Sequence, residues 1–530
     1  MQEKDRFTLV ELAYYLFYGF MILVKGLGFY EGQKIYTLSL IVGAALIVIK
    51  LLITEHTVAE WIFVGLLVAL AVVIYAHSQT MAILIIIAVI VGMKGVSTHR
   101  IMIMNFVLWT STYVLQMLLT LTGIRSDIIR VQEKLGMGYM IRYSLGQPHP
   151  NVLQITTMLV TALFFYTFKP RGFKLLWYTL LMFLLNTYVF VYSVSYTGYV
   201  LSLLYLLINF YLSLRKKLYL VDNIAFCWIF PFCAYFAVWC ALWMPSPWYD
   251  IVNQWLNTRL YLARNYYEHM GITLFGVGYC PELPVAKNNL DMGFIFALEH
   301  YGKIFFFLML FGYIATIAYL IKKSRRYEIG IIFAMAAAST MEPFFFNSSM
   351  KNISWVFVGE FAFFALNRIT VKHSEAKLAR GYRVLKPEHI EKLKNEIVLP
   401  ISKIEGFLIS FRDSFRKRRF RIIFASLLLG AVAGYLAYTF LPINGTFYFN
   451  HSVVQTAIEE YITIDKAAVL ASDPTAKVVQ YINDEAHMFS ITDQIGLIEY
   501  YRKVLSIGLW TCMIGMVALT FVGRRSVVKK

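Results

Sequence analysis

Arginines that could hold a phosphate-bearing substrate lie in two polar stretches of the sequence, at 139–151 (YMIRYSLGQPHPN) and at 248–293. A guanidinium offers a planar fork of donors that matches phosphate oxygens. We therefore expect Arg142 in the first stretch and Arg259 in the second to converge on one anion-binding pocket. Three other basic residues have a simpler interpretation, as partners of lipid headgroups or nearby acids: Arg125, Arg130 and Lys134.

The second stretch contains NQWLNTRLYLARN, whose apolar residues predict a helix that lies parallel to the membrane. Arg264 follows Arg259 by five residues, which is about 140° around such a helix, so one arginine should face a cavity and the other solvent or headgroups. We expect Arg259 to face the cavity, and we keep Arg264 as a further substrate-binding candidate. The following GITLFGVG allows tight backbone turns, which close packing explains as well as ligand binding does.

Three side chains could transfer protons. His149, held between two prolines in GQPHPN, could act as a base near neutral pH or could cap the next helix. Asn151 is the other candidate for that cap, and also a possible substrate contact. Asp291 begins an apolar span, where an acid also favours a helix N-terminus, and Glu342 lies near the end of a span, where an acid is costly unless paired or used. The sequence has no zinc-ligand spacing, phosphate-binding loop or nucleophile elbow, so we expect neither a metal nor a cofactor.

The elements that must position these residues are membrane spans. Apolar residues make up 59% of the 530 residues and charged residues only 15%. Runs of roughly 20 apolar residues recur, so the chain is predicted to be an all-α, multi-pass membrane protein rather than a soluble globule. The apolar periodicity places about fourteen spans, at 9–30, 36–54, 59–77, 80–93, 101–123, 151–168, 174–192, 197–214, 222–244, 291–321, 328–346, 353–367, 422–442 and 504–523.

Basic residues are concentrated in alternate connections between the spans. Lys94 and Arg100 lie in one of them, and Lys322 and Lys323 in another. The positive-inside rule makes these connections cytoplasmic and puts both termini inside. The net charge of +18 then reflects orientation, and we do not expect nucleic-acid binding. Four ionisable residues fall inside spans, and we expect each to pair within the bundle: Lys25, Glu299, His300 and Glu360.

Three parts of the chain differ in composition. Residues 1–370 form the polytopic core, with external loops at about 124–150 and 245–290. Residues 371–421 are basic, with Ile390, Leu393 and Ile397 at helical spacing up to Pro400, and should lie on the anionic inner leaflet or dock a cytoplasmic partner.

The last part, 422–530, is predicted to be a module of two spans that bracket an external segment at 444–503. Its topology alone resembles a reduced chain-length regulator of polysaccharide synthesis. Fusion would keep such a regulator at high local concentration beside the core.

The order of motifs in residues 1–370 resembles that of the O-antigen polymerase and ligase family, and in particular the Wzy-type capsule and exopolysaccharide polymerases. The matching elements are GQPHPN entering a span, SVSYTGYV after the next span, LNTRL and GITLFGVG in the long outer loop, LDMGF opening a helix, and MEPFFFNSSMKN near the last core span. Family members often carry an arginine in the turn where this chain has Tyr196.

The resemblance implies a GT-C-like core of about twelve helices that acts as a glycosyltransferase without a nucleotide sugar. It would transfer a glycan from undecaprenyl pyrophosphate to the next lipid-linked repeat unit, at the outer face of a bacterial cytoplasmic membrane. Arg142 and Arg259 would match the arginines that hold the pyrophosphate. His149 would match the histidine of the HPN turn, and Asp291 and Glu342 would match acids of the outer cavity.

Two other functions remain open at the level of sequence. A ligase of the same family would use the same residues with another acceptor. A flippase for lipid-linked oligosaccharides would have a similar number of spans, although the long central loop at 245–290 argues against it. A separate flippase and a separate chain-length regulator are also expected partners, besides membrane lipid.

Overall fold

The computed structural model describes residues 8–134, 138–215, 217–256, 258–284, 288, 290–372, 379–382, 384, 401–441, 446–449, 462–465, 471, 477–479, 485–490 and 493–528. Two compact units divide the chain. The larger comprises 8–127 and 144–394, and the smaller contains 128–143 and the chain from 395 onward.

The larger unit is a helical bundle. Its helices are α1 (Leu9–Gly26), α2 (Lys34–Ile53), α3 (Val58–Ser78), α4 (Ala82–Val91), α5 (Thr98–Leu121), α6 (Pro150–Phe168), α7 (Phe173–Ser193), α8 (Tyr196–Leu214), α9 (Leu220–Leu242), α10 (Trp248–Trp255), α11 (Arg259–Met270), α12 (Gly293–Lys322), α13 (Arg326–Ser339) and α14 (Trp355–Lys372). A short 3-10 helix, Pro343–Phe345, follows α13. Capping boxes start α1 at Thr8 and α3 at Thr57, where each threonine and the glutamate three residues later satisfy free backbone amides.

Eleven helices among the described residues are long and apolar enough to cross a membrane, so the predicted multi-pass, all-α class is confirmed. Every one of the predicted spans coincides with a helix, but α4, α13 and α14 are not among those eleven. The predicted span at 328–346 ends early, because α13 stops at Ser339 and the chain turns into the 3-10 helix. Glu342 therefore lies between two helices and not inside a span.

Polar side chains satisfy one another around α6, the most enclosed of the candidate spans. Gln154 of α6 donates to the Asn186 carbonyl at 3.3 Å and accepts from the Ser193 hydroxyl at 3.1 Å. Asn186 in turn donates to the Thr161 hydroxyl at 3.0 Å. Such side-chain hydrogen bonds between helices replace the water that a membrane interior lacks.

Helix α12 is broken at Gly302, whose φ is +76°. The GITLFGVG loop fills the break with backbone hydrogen bonds, from Lys303 N to Thr273 O at 3.0 Å and from Ile304 N to Leu274 O at 3.2 Å. A Cβ at Gly302 would lie 2.4 Å from the backbone nitrogen of Gly276. Close packing of two backbones therefore explains Gly276 and Gly302. For the GITLFGVG loop, this was one of the two interpretations that the sequence allowed, the other being ligand binding.

The smaller unit joins a β-hairpin to the C-terminal helices. Strands β2 (Ile129–Lys134) and β3 (Gly138–Tyr143) pair antiparallel. The helices Ile401–Phe440 and Asp493–Val528, which we call the terminal hairpin, pack against each other where Gly430 meets Gly508. Small residues at such a crossing let two helix backbones approach closely.

Two contacts tie the β-hairpin to the terminal hairpin. The Tyr143 hydroxyl donates to Glu499 Oε2 at 2.5 Å, and Arg502, which is paired with Glu499, donates to Ile141 O at 2.9 Å. The middle of the loop predicted at 124–150 thus belongs to the same compact unit as the terminal module, which the predicted division at 370 did not anticipate.

Short strands also occur elsewhere in the chain. Strand β1 (His56–Thr57) pairs with β4 (Gly381–Tyr382) at the start of the basic tract. Strands β5 (Thr446–Phe449), β6 (Ile462–Asp465), β7 (Lys477–Val479) and β8 (Glu485–Ser490) form a sheet in the order β6-β8-β5-β7. The residues that predicted an amphipathic helix before Pro400 lie outside the described residues.

We predict that Gly302→Ala destabilises the protein well beyond the cost of its backbone conformation. At φ +76° and ψ 173°, a conformation that is essentially restricted to glycine, an alanine costs about 1–3 kcal/mol, and the new methyl group would also overlap the Gly276 backbone. Gly32→Ala is the matched control, because Gly32 has φ +91° with open space around it. Thermal unfolding in detergent measures both, and equal losses for the two variants would contradict the packing explanation.

Candidate functional site

A buried ion pair between Arg259 and Glu342 is the centre of the candidate site. Arg259 is 7% exposed and Glu342 is 1% exposed. Arg259 Nη2 lies 2.9 Å from Glu342 Oε1, and Nη1 donates to the carbonyl of Met341. The Thr197 hydroxyl donates to the same Oε1 at 3.3 Å. The start of α11, the first turn of α8 and the segment after α13 therefore meet at one carboxylate.

Local backbone geometry fixes both partners of this pair. The predicted single helix NQWLNTRLYLARN is wrong, since α10 ends at Trp255 and Thr258 adopts a left-handed conformation with φ +65°. Helix α11 then begins at Arg259. Glu342 is extended, as the residue before a proline usually is.

Asp291 is the third charged group of the site. It is half-buried, and its carboxylate acts electrostatically on both Arg259 and Glu342. Burial raises the pKa of Glu342, and the Arg259 guanidinium opposes that rise. Burial acts to lower the pKa of Arg259, but Glu342 and Asp291 outweigh it and the pKa is raised. A glutamate in this setting is more easily protonated than an exposed one, as suits a general base.

His149, and not Asn151, takes the capping role that the sequence left open between them. His149 is the N-cap of α6, and its Nδ1 accepts the backbone N–H of Asn151 at 3.0 Å. Asn151 is therefore not the cap. A neutral histidine that accepts through Nδ1 carries its proton on Nε2, which makes it a donor rather than a base.

Arg264, the arginine that was expected to face solvent or headgroups, is half-buried and pairs with protein carbonyls. Its guanidinium donates to Ala241 O at 3.0 Å and to Met244 O at 3.1 Å, and it stacks over the Tyr249 ring. These carbonyls lie at the C-terminal end of α9, where a cation is favourable. Arg264 thus holds the long loop against α9.

Tyr196 is half-buried, and its ring lies 5.9 Å from that of Phe190. The residue of this turn that contacts the ion pair is its neighbour Thr197, which the sequence interpretation missed. Its only signal was its place in SVSYTGYV, a motif that the resemblance had already marked.

Arg142 lies in β3 of the smaller unit and is 2% exposed, with Arg130 directly opposite it on β2. Its convergence with Arg259 stays a prediction. Arg125 donates to the Gln116 side chain and to Leu27 O, so it pairs with protein oxygens rather than with acids or headgroups.

Most ionisable residues inside the helices pair as expected. Glu360 contacts Arg325 and Thr98, and His300 Nδ1 lies 2.7 Å from Val277 O. Lys25 donates to the Ser348 hydroxyl at 3.4 Å. The prediction is wrong for Glu299, because both of its carboxylate oxygens are buried without a hydrogen-bond partner among the described residues.

No family model matches the chain, and no curated protein or solved structure matches it significantly. Within the part of the chain that the structure describes, no group of three His, Cys, Asp or Glu side chains could hold a metal ion. The candidate site is therefore argued from the side chains of this protein alone.

We predict that breaking the ion pair from one side is more harmful than removing it. Arg259→Met or Glu342→Leu leaves an unpaired buried charge and should cost about 3–5 kcal/mol, whereas the double variant should recover most of that loss. Thermal unfolding of the four proteins completes a double-mutant cycle. Additive losses would mean that the two side chains do not depend on each other.

Proposed function

We propose that this protein is a polysaccharide polymerase of a bacterial cytoplasmic membrane. It transfers a glycan from its undecaprenyl-pyrophosphate carrier to the next lipid-linked repeat unit at the outer face, with both termini in the cytoplasm. The observation that carries the proposal is the meeting of Arg259, Glu342 and Asp291, which come from separate segments of the sequence. The family resemblance, which rests on short motifs, adds the substrate class.

The chemistry of the site fits a glycosyl transfer. The acceptor hydroxyl oxygen forms a bond to the anomeric carbon, and its proton passes to Glu342 or Asp291. The bond from that carbon to the lipid pyrophosphate breaks, and the leaving group keeps the electron pair. Arg259 stabilises the charge that develops on the pyrophosphate. Arg142 remains the second candidate for that contact. His149, whose Nδ1 caps α6, would contact the substrate as a donor through Nε2 and not as the base.

Arg259 and Thr197 both contact Oε1 of Glu342, which leaves Oε2 without a hydrogen bond among the described residues. A carboxylate that is held on one oxygen keeps the other in a fixed direction for an incoming hydroxyl. Arg259 likewise donates to Met341 and Glu342 with only some of the five N–H groups of its guanidinium.

Purified protein in vesicles, supplied with a synthetic lipid-pyrophosphate-linked repeat, tests the proposal. A ladder of products identifies a polymerase. Transfer only to a different acceptor identifies a ligase, and movement of the lipid across the bilayer without bond formation identifies a flippase. The last two outcomes would each overturn polymerisation.

We predict that Asp291→Asn lowers the rate of ladder formation by about 10²-fold, the lower range for loss of one preorganised group. Asp291 has no ion pair within 4 Å among the described residues, so the variant should keep its stability. The folded double variant Arg259→Met with Glu342→Leu should form no ladder. Arg130→Ala, at an exposed position of β2, is the control. Full activity of the double variant would exclude the ion pair from the chemistry.

We also propose that the terminal hairpin regulates product length. The hydrogen bond from Tyr143 of the β-hairpin to Glu499 of the terminal hairpin is the contact that supports this proposal. We expect deletion of residues 373–530, or Tyr143→Phe with Arg502→Met, to shift the length distribution while total sugar incorporation persists. Tyr435→Phe, an exposed tyrosine of the same hairpin, is the control. An unchanged distribution at full activity would contradict the regulatory role.

A further inference from the structure

A cavity of about 240 Å³ opens where the end of α1, the start of α6 and the MEPFFFNSSMKN segment come together. A water molecule takes up about 30 Å³ of liquid, so the space admits a group of several heavy atoms. Its polar lining includes two lysines and one acid: Lys25, Lys351 and Glu31. In the predicted orientation, all three chain segments meet at the outer face.

Lys351 is a buried cation without an anionic partner. It is 6% exposed, and the described residues offer its Nζ neither a hydrogen bond nor a carboxylate within 4 Å. Its ammonium group instead faces two rings, with centroids at 5.3 Å for Trp109 and 5.6 Å for Phe344. Ring faces attract a cation but offset only part of the cost of removing it from water.

Lys25 supplies a second positive charge to the same cavity. Its Nζ donates to the Ser348 hydroxyl at 3.4 Å and lies 3.8 Å from the centre of the Tyr36 ring. Glu31 at the rim is exposed, and its carboxylate acts electrostatically on Lys25 without coming within 4 Å of it. Burial and the charge of Lys25 lower the pKa of Lys351 to about 7. The two ammonium groups are thus close enough to disfavour each other when the cavity holds no anion.

The wall that carries Lys351 is well fixed. Met341 at its start accepts from Arg259, the Tyr301 hydroxyl donates to Phe346 O, and Ser349 N donates to Asn347 Oδ1 at 3.0 Å. A site whose charged groups are held before binding loses little freedom when a ligand arrives.

We propose that Lys25 and Lys351 form a binding site for an anion of the phosphate class, a phosphate monoester or a pyrophosphate. A dianion neutralises both ammonium groups, whereas a single carboxylate leaves one of them uncompensated. The hydroxyl of Ser348 and the amide of Asn347 lie on the same wall and add polar contacts. This site is distinct from the Arg259 ion pair, and its existence does not depend on glycosyl transfer.

Lysine footprinting of the wild-type protein tests the site directly. The full chain, in a phosphate-free uncharged maltoside detergent at pH 7.5, is treated with an amine-acylating reagent with and without inorganic pyrophosphate. Mass spectrometry reads each lysine. We expect pyrophosphate to reduce labelling of Lys25 and Lys351 at least about ten-fold, which corresponds to about 1.4 kcal/mol. Lys34, an exposed lysine at the start of α2, should not change.

The ligand that protects Lys25 and Lys351 from acylation identifies the source of the anion. Protection by inorganic pyrophosphate indicates a free anion, protection by farnesyl pyrophosphate alone indicates a lipid carrier, and protection by phosphatidylglycerol alone indicates a membrane headgroup. The first two outcomes support the site, whereas protection by phosphatidylglycerol alone would contradict it, because a phosphodiester carries one negative charge and leaves one of the two ammonium groups uncompensated. Undiminished labelling of Lys351 with every one of these probes would overturn it.

Variants give a second measurement that does not need activity. The protecting ligand should raise the thermal midpoint of the wild type and of Lys34→Met, and should not raise that of Lys351→Met. If Lys351→Met does not fold, Lys25→Met on the opposite wall is used for the same measurement. A ligand-dependent shift that survives in the variant would contradict the proposal. These binding results are independent of ladder formation, so failure of one proposal does not decide the other.

Discussion

The organisation of the larger unit depends on one buried ion pair, between Arg259 and Glu342. Neither charge would be tolerated alone at this depth, because the cost of dehydrating an unpaired ion exceeds most single stabilising contacts. The pair therefore fixes the start of α11 to the segment after α13. Through Thr197 it also reaches the first turn of α8. Everything that we propose for the site follows from this meeting of distant segments.

The same segment connects the two proposed sites. Met341 and Glu342 contact Arg259 at its beginning, and Lys351 faces the cavity near its end. The short 3-10 helix between them keeps this separation fixed. An arginine with two acids and a pair of lysines are different chemical environments: the first can accept a proton and stabilise developing charge, and the second concentrates positive charge where an anion can bind.

Irregular backbone in the bundle follows a similar principle. Where α12 breaks at Gly302, the GITLFGVG loop supplies the hydrogen bonds that the helix loses. Broken helices are tolerated at membrane depth only when other protein groups satisfy the freed amides and carbonyls. Nearby Glu299 departs from this pattern, because both of its carboxylate oxygens are buried without a hydrogen-bond partner among the described residues.

The sequence by itself determined the class of the protein and the positions of its helices, because apolar runs of span length record directly where a chain can be buried in a bilayer. It also identified Arg259, Asp291 and Glu342, since charges beside apolar spans are costly and few. It could not assign Arg264 to a helix end, or Thr197 and Lys351 to their sites. Those roles depend on which segments meet, and only tertiary packing decides that: a charge in a sequence has no partner until the fold brings another segment to it.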